Sequence, residues 1–108
     1  MLIAIGALKT RGPLGFLRFA RHARRAMRQA KTAEGCLFAE ANRTDGLFFS
    51  LTAWEDEAAL LAFSRSGDHL EAMRAMGRIG ENRGFHRYHS DAPPAWTDAL
   101  NRWRQAQK

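Results

Sequence analysis

Residues 2–8, Leu-Ile-Ala-Ile-Gly-Ala-Leu, form a short apolar run with β-branched members, closed by the turn residues Thr10-Arg11-Gly12-Pro13. A strand followed by a loop is predicted. From 14 to 31 the period changes. Leu17, Ala20, Ala23, Met27 and Ala30 recur at helical spacing, and Arg18, Arg21, Arg25 and Arg28 fall on the opposite face. This is the pattern of an amphipathic helix whose alanine stripe lets it lie close to a sheet, with Lys31 in the last turn suiting the helix dipole.

Two strand-like runs follow, 35–42 and 46–54, separated by Arg43-Thr44-Asp45-Gly46, and Asp-Gly between such runs predicts a hairpin. In the second run Leu47, Phe49 and Leu51 lie on one face while Phe48 and Trp54 lie on the other. Bulky apolar groups on both faces require both to be covered. One helix layer covers one face, and in so short a chain the second cover is expected to be a second subunit. Residues 55–64 open with three acids, as a helix N-terminus favours, and continue with strong helix formers. Ser66-Gly67-Asp68 interrupts the pattern before a second helical stretch from His69 to about Arg78. Gly80 and Gly84 are expected to bracket a loop, and 85–89, Phe-His-Arg-Tyr-His, to be the last strand. After Pro93-Pro94, Trp96, Leu100 and Trp103 share one stripe of a C-terminal helix that must dock on its own domain or on a partner.

The order β-α-β-β-(broken α)-β, with a terminal helix, is the split βαβ pattern. The fold class is therefore α+β, ferredoxin-like βαββαβ, with one antiparallel four-stranded sheet and helices on one face. Residues 1–108 make one domain, of which 92–108 are a C-terminal helical extension.

Composition narrows the class. At 45% hydrophobic residues the chain is too apolar for disorder, yet no apolar run approaches the roughly 20 residues of a membrane span. The N-terminus reads as a strand and not as a signal peptide. Cys36 is the single cysteine, so an internal disulfide and a thiolate metal cluster are excluded, and a cytoplasmic protein with an inert thiol is expected. The net charge of +6 is unevenly placed: residues 1–54 hold nine basic groups against three acidic ones, and 55–108 hold eight of each. No acid occurs between Lys9 and Lys31. Charge alone could serve phosphates, but no base-stacking element accompanies it, so nucleic acid is not expected as a partner and the arginines read as a solvated face.

The stretch Phe49-Ser50-Leu51-Thr52-Ala53-Trp54-Glu55, running into Ala58, Phe63, Ser66 and His69, resembles the signature of the antibiotic-biosynthesis-monooxygenase-like dimeric α+β barrels. Asp68-His69-Leu70-Glu71-Ala72-Met73-Arg74 looks closest to the spheroidene-monooxygenase-like and uncharacterised branches. The resemblance implies the fold, a homodimer, and membership of a superfamily that includes cofactor-free monooxygenases, haem-degrading enzymes and isomerases. Haem-degrading members carry an Asn on the first strand, a Trp in the second helix and a His one turn beyond the position of His69. This chain has no Asn from Leu2 to Leu8, and has Phe63 and Met73 at the other two places. Haem is therefore not expected, nor any other cofactor.

His69 is the candidate catalytic residue, since a neutral imidazole with a pKa of about 6.5 can take a proton from a phenolic substrate. The competing reading makes it a buttress for the helix start after Gly67-Asp68. Trp54, Phe63, Met73 and Phe49 are candidates for lining a substrate pocket, or else core residues. Arg87, on the face shared by Phe85 and His89, could anchor an anionic group, or be a surface arginine. His86 and His89 point to opposite faces of a strand, so their H-x-x-H spacing predicts no metal site. The expected function is a cofactor-independent monooxygenase, or related small-molecule enzyme, acting on a hydrophobic, aromatic or polyene substrate. The alternative is a non-catalytic homodimer that binds a ligand or partner.

Overall fold

In the computed structural model, which describes residues 1–10, 12–65 and 80–107, four strands form one antiparallel sheet. The elements are β1 (Leu2–Thr10), α1 (Gly12–Thr32), β2 (Cys36–Thr44), β3 (Leu47–Trp54), α2 (Glu57–Ser64), β4 (Gly80–His89) and α3 (Trp96–Ala106). The sheet order is β2-β3-β1-β4, the order expected of a split βαβ unit. The helical stretch expected from His69 to Arg78 lies outside the described residues.

The β2–β3 hairpin closes where Asp-Gly predicts it. Asp45 and Gly46 both have positive φ, 53° and 77°, and Thr44 pairs with Leu47. This two-residue turn matches the twist of the strands it joins. The Asp56 side chain caps α2 by accepting from the Ala59 backbone N–H at 2.9 Å.

Two apolar layers lie on opposite faces of the sheet. On the first, Leu2, Ala4, Ala39 and Trp54 pack against Ala30 and Met27 of α1 and against Leu60 and Phe63 of α2. On the second, Ile3, Ile5, Ala7, Phe49, Leu51 and Ala53 pack against Ala99, Trp96, Leu100 and Trp103 of α3. Leu51 and Trp54, on opposite faces of one strand, are both completely buried.

Two expectations change here. A second subunit was expected over the second face, but α3 of the same chain lies there. Ala99 is fully buried and adds nothing beyond its Cβ, so the helix approaches closely. The indole N–H groups of Trp96 and Trp103 donate to Glu40 Oε1 (2.8 Å) and to the Gly84 carbonyl (3.2 Å), and the Trp103 ring meets Phe49 edge-on at 4.9 Å. The last strand also begins at Gly80 and not at Phe85. Gly84, with φ 126°, does not end a loop but marks a register shift within the β1–β4 ladder, beyond which Asn82, Glu81 and Gly80 pair with Leu8, Lys9 and Thr10.

Tyr88 sits under α3 with Arg102 stacked on its ring at 4.4 Å, while its hydroxyl is buried without a hydrogen-bond partner. Burial, reinforced by the Asp98 carboxylate and opposed by Arg102, pushes its phenol above the ordinary value. A raised folded-state pKa means that the neutral phenol's contribution is complete below about pH 10 and lost as the pH rises beyond it. The Tyr88→Phe variant removes an unsatisfied buried hydroxyl, so urea denaturation at neutral pH should show equal or higher stability, by up to about 1 kcal/mol. A clear loss would reveal a partner for the hydroxyl.

Gly35 joins α1 to β2 with φ 82°, and a Cβ there would lie 2.5 Å from the Ala59 Cβ of α2. Gly35→Ala should lower stability by about 2–3 kcal/mol, read as a fall in the urea midpoint. An unchanged midpoint would contradict this packing.

Candidate functional site

Cross-strand register sorts the candidate residues by row on the face beneath α1 and α2. Trp54, Leu2 and His89 form one row; Thr52, Ala4 and Arg87 the next; Ser50, Gly6 and Phe85 the third. The first row is closed. Trp54 is completely buried, the Phe63 ring lies 5.1 Å away in a tilted stack, and the Trp54 indole N–H donates to Thr52 Oγ1 at 2.9 Å. Thr52 is buried, and this bond pairs its hydroxyl oxygen with the indole N–H. Trp54 and Phe63 therefore touch each other, and no cavity separates them.

The third row is open. Gly6 stands mid-strand because the Phe85 ring lies over it: a Cβ at Gly6 would come within 3.0 Å of Phe85 Cδ2 and 3.6 Å of Ser50 Oγ. The ring is nonetheless 56% exposed, and Ser50 beside it is exposed as well. Phe48, further along the same face, stacks on Phe19 of α1 at 4.6 Å and carries the Arg43 guanidinium 5.4 Å from its ring centre. The result is a ledge with an aromatic floor, a hydroxyl and a glycine gap, between α1 and the row that carries Arg87.

Arg87 borders this ledge. Its Nη1 lies 3.4 Å from Glu57 Oε1, and both side chains are substantially exposed. An exposed pair of this kind contributes at most about 1 kcal/mol, so an anionic ligand group can displace Glu57 at little cost. Phe49 does not join the site. It points to the opposite face, against Trp103. His69 and Met73 lie outside the described residues. His86 pairs with Ile5 and His89 with Leu2, which puts them on opposite faces as strand alternation requires. Among the described residues no three His, Cys, Asp or Glu side chains cluster as a metal site would need. The Cys36 thiol, pushed up by burial, contacts the Phe38 carbonyl at 3.5 Å and is a poor nucleophile.

Two open clefts lie elsewhere, and neither touches Trp54, Phe63 or Arg87. One, of about 450 Å³, is bordered by Lys9, Leu47, Arg83 and Trp103; the other, of about 400 Å³, lies between α1 and Ala41 of β2. The sequence grouped the candidates around His69, Trp54 and Phe63 and did not single out Gly6 or Ser50. A glycine inside a strand was the available signal, because it marks a close approach.

A family model described as antibiotic biosynthesis monooxygenase matches residues 3–75, which include most of this face. Among solved structures, a Deinococcus radiodurans protein superposes with a TM-score of 0.75 at 14% identity, over 88% of this chain and 97% of its own. A Pseudomonas aeruginosa protein gives 0.74 at 19% identity, over 84% and 94%. A structure named as an antibiotic biosynthesis monooxygenase gives 0.70 at 18% identity, over 87% and 100%. These likenesses establish the fold. No curated protein matches the chain in sequence. Among the described residues no helix is long and apolar enough to cross a membrane.

Thr52→Val leaves the Trp54 indole N–H buried and unpaired, and should cost about 1–3 kcal/mol in urea denaturation. Phe85→Ala removes a half-exposed ring and should shift stability by less than about 1 kcal/mol, while weakening the binding of a hydrophobic fluorescent probe several-fold. Probe binding indifferent to Phe85 would put the ligand site elsewhere.

Proposed function

The chain belongs to the antibiotic biosynthesis monooxygenase family, and from that premise we propose that it is a cofactor-independent monooxygenase acting on a hydrophobic, aromatic or polyene substrate between sheet and helices. The observation that carries this reading is the Phe85 ring held over Gly6 beside Ser50 and left exposed on the sheet face beneath α1 and α2. A planar substrate stacks on such a ring, its rim hydroxyl within reach of Ser50 and an anionic group directed to Arg87. In this reaction class the deprotonated substrate itself reduces dioxygen. One oxygen atom enters the product as a carbonyl, and the other leaves as water. The protein contributes an aromatic surface that holds the substrate, groups that steady the developing anion, and a base. We assign the base to His69, on the sequence motif that runs from Trp54.

The protein is further proposed to be a homodimer, as the family resemblance implies. With α3 over the second face, the partner must pack outside α3 or exchange it. Light scattering should return twice the mass of one chain at micromolar concentration, and a stable monomer would contradict this.

The catalytic reading is tested with a panel of aromatic hydroquinones and isotopically labelled dioxygen. Label should enter the product, and Phe85→Ala and His69→Ala should each lower kcat/KM, the second by about a hundredfold or more. The tight Trp54–Phe63 stack favours a second reading, a homodimer that binds a ligand without transforming it. Saturable binding at Phe85 with no label incorporated for any substrate would select that reading.

A further inference from the structure

The outward face of α1 is not used by the fold or by the site. Leu14, Leu17, Arg18, Arg21, Arg25 and Arg28 follow one another at steps of one, three or four residues, which on a helix is one side. The opposite stripe, including Ala26 and Ala30, is buried against the sheet. Leu14 and Leu17 are 62% and 63% exposed, two of the most exposed large apolar side chains among the described residues, so Leu17 does not join the inner stripe that its spacing predicted but borders the arginines. Arg24 and Lys31 flank the row and border the cleft of about 400 Å³ against β2, together with Arg28. The described residues form four ion pairs, Arg83–Glu81, Arg87–Glu57, Arg102–Asp98 and Arg104–Asp45, and none engages a cation of α1. The helix itself holds no acid.

We propose that this face of α1 docks on an anionic lipid bilayer, with the helix lying in the plane of the surface. Charge complementarity identifies the partner's sign, since six cations on one helix with no acid among them favour a negatively charged surface. The two leucines identify its kind. A nucleic acid duplex would have to unstack its bases to receive leucine side chains in line with the arginines. A bilayer does: the leucines enter the acyl boundary while the arginines stay with the phosphates. The row from Leu14 to Arg28 is about 21 Å long, enough to contact several headgroups at once. The cleft beside Arg24, Arg28 and Lys31 offers a recess for a single phosphate headgroup. This docking does not depend on the reaction, and the test below needs no substrate.

The full chain is sedimented with vesicles of phosphatidylcholine containing phosphatidylserine, and with vesicles of phosphatidylcholine alone. Binding is expected only to the first, and should weaken steadily as sodium chloride shortens the screening length. The triple variant Arg21→Gln/Arg25→Gln/Arg28→Gln should bind about a hundredfold more weakly. The double variant Leu14→Ser/Leu17→Ser should bind about tenfold more weakly, with its affinity for duplex DNA unchanged. All five side chains are on the outer side of the helix, and circular dichroism checks that each variant is folded. Equal binding to both vesicle types, or to neither, would overturn the proposal for the unmodified chain. Vesicle binding indifferent to the two leucines would also overturn it, in favour of a purely electrostatic surface of the sort that nucleic acid contacts.

Discussion

A sheet with two apolar faces in a chain of 108 residues is the constraint on which everything else depends. β3 states the problem most plainly, because Trp54 and Leu51 lie on opposite faces and both are completely excluded from solvent. Burying an aromatic or aliphatic side chain contributes about 2 kcal/mol, so neither face can be left wet over its whole area. The chain meets this with helices on both sides: α1 and α2 over one face, α3 over the other. The two covers differ in completeness. Among the described residues the cover beneath α1 and α2 is tight at Trp54 and gives out two rows along, where Phe85 is left showing. The candidate site is the place where the cover runs out.

Most of the architecture was legible in the residues. Asp45-Gly46 specified a two-residue hairpin because few pairs accept positive φ twice in succession. The alanines of α1 and its arginines specified which side faces the sheet, with Leu17 the one member of the expected stripe that the structure leaves exposed. The need for two covers was also visible in Leu47–Trp54, but the identity of the second cover was not. A stripe of Trp96, Leu100 and Trp103 suits its own sheet or a partner's equally well, and only placement decides that it meets Phe49 and Tyr88 of the same chain. The start of β4 was misjudged for a related reason. Gly80 and Gly84 look like loop punctuation, whereas pairing with a long central strand recruits them into the ladder, with Gly84 absorbing a register shift.

The site was legible only in part. The motif leading from Phe49 through Trp54 drew attention to β3, whose two ends differ in exposure. Trp54 is a core residue whose indole N–H is satisfied by Thr52, while Phe49 belongs to the α3 layer. Ser50, two residues along from Thr52, was the more telling position, since it faces the same side and remains open. Such a ledge cannot be read from periodicity, because it arises from where a helix stops covering a strand. Gly6 was its one local sign. The basic face of α1 is a different case: its arginine row was plain in the sequence, and the structure adds that Leu14 and Leu17 are exposed beside it and that none of its arginines pairs with an acid among the described residues.

In the proposed reading ligands meet the face beneath α1 and α2, at the row of Ser50, Gly6 and Phe85, and not the face that α3 covers. Titrating isotopically labelled protein with an aromatic hydroquinone and following amide and aromatic resonances tests this directly. Saturable shifts centred on Gly6, Ser50 and Phe85, with Phe49, Ala99 and Trp103 unmoved, are the predicted result. Shifts centred on Phe49 and Trp103 would mean that α3 yields to the ligand and would contradict the account.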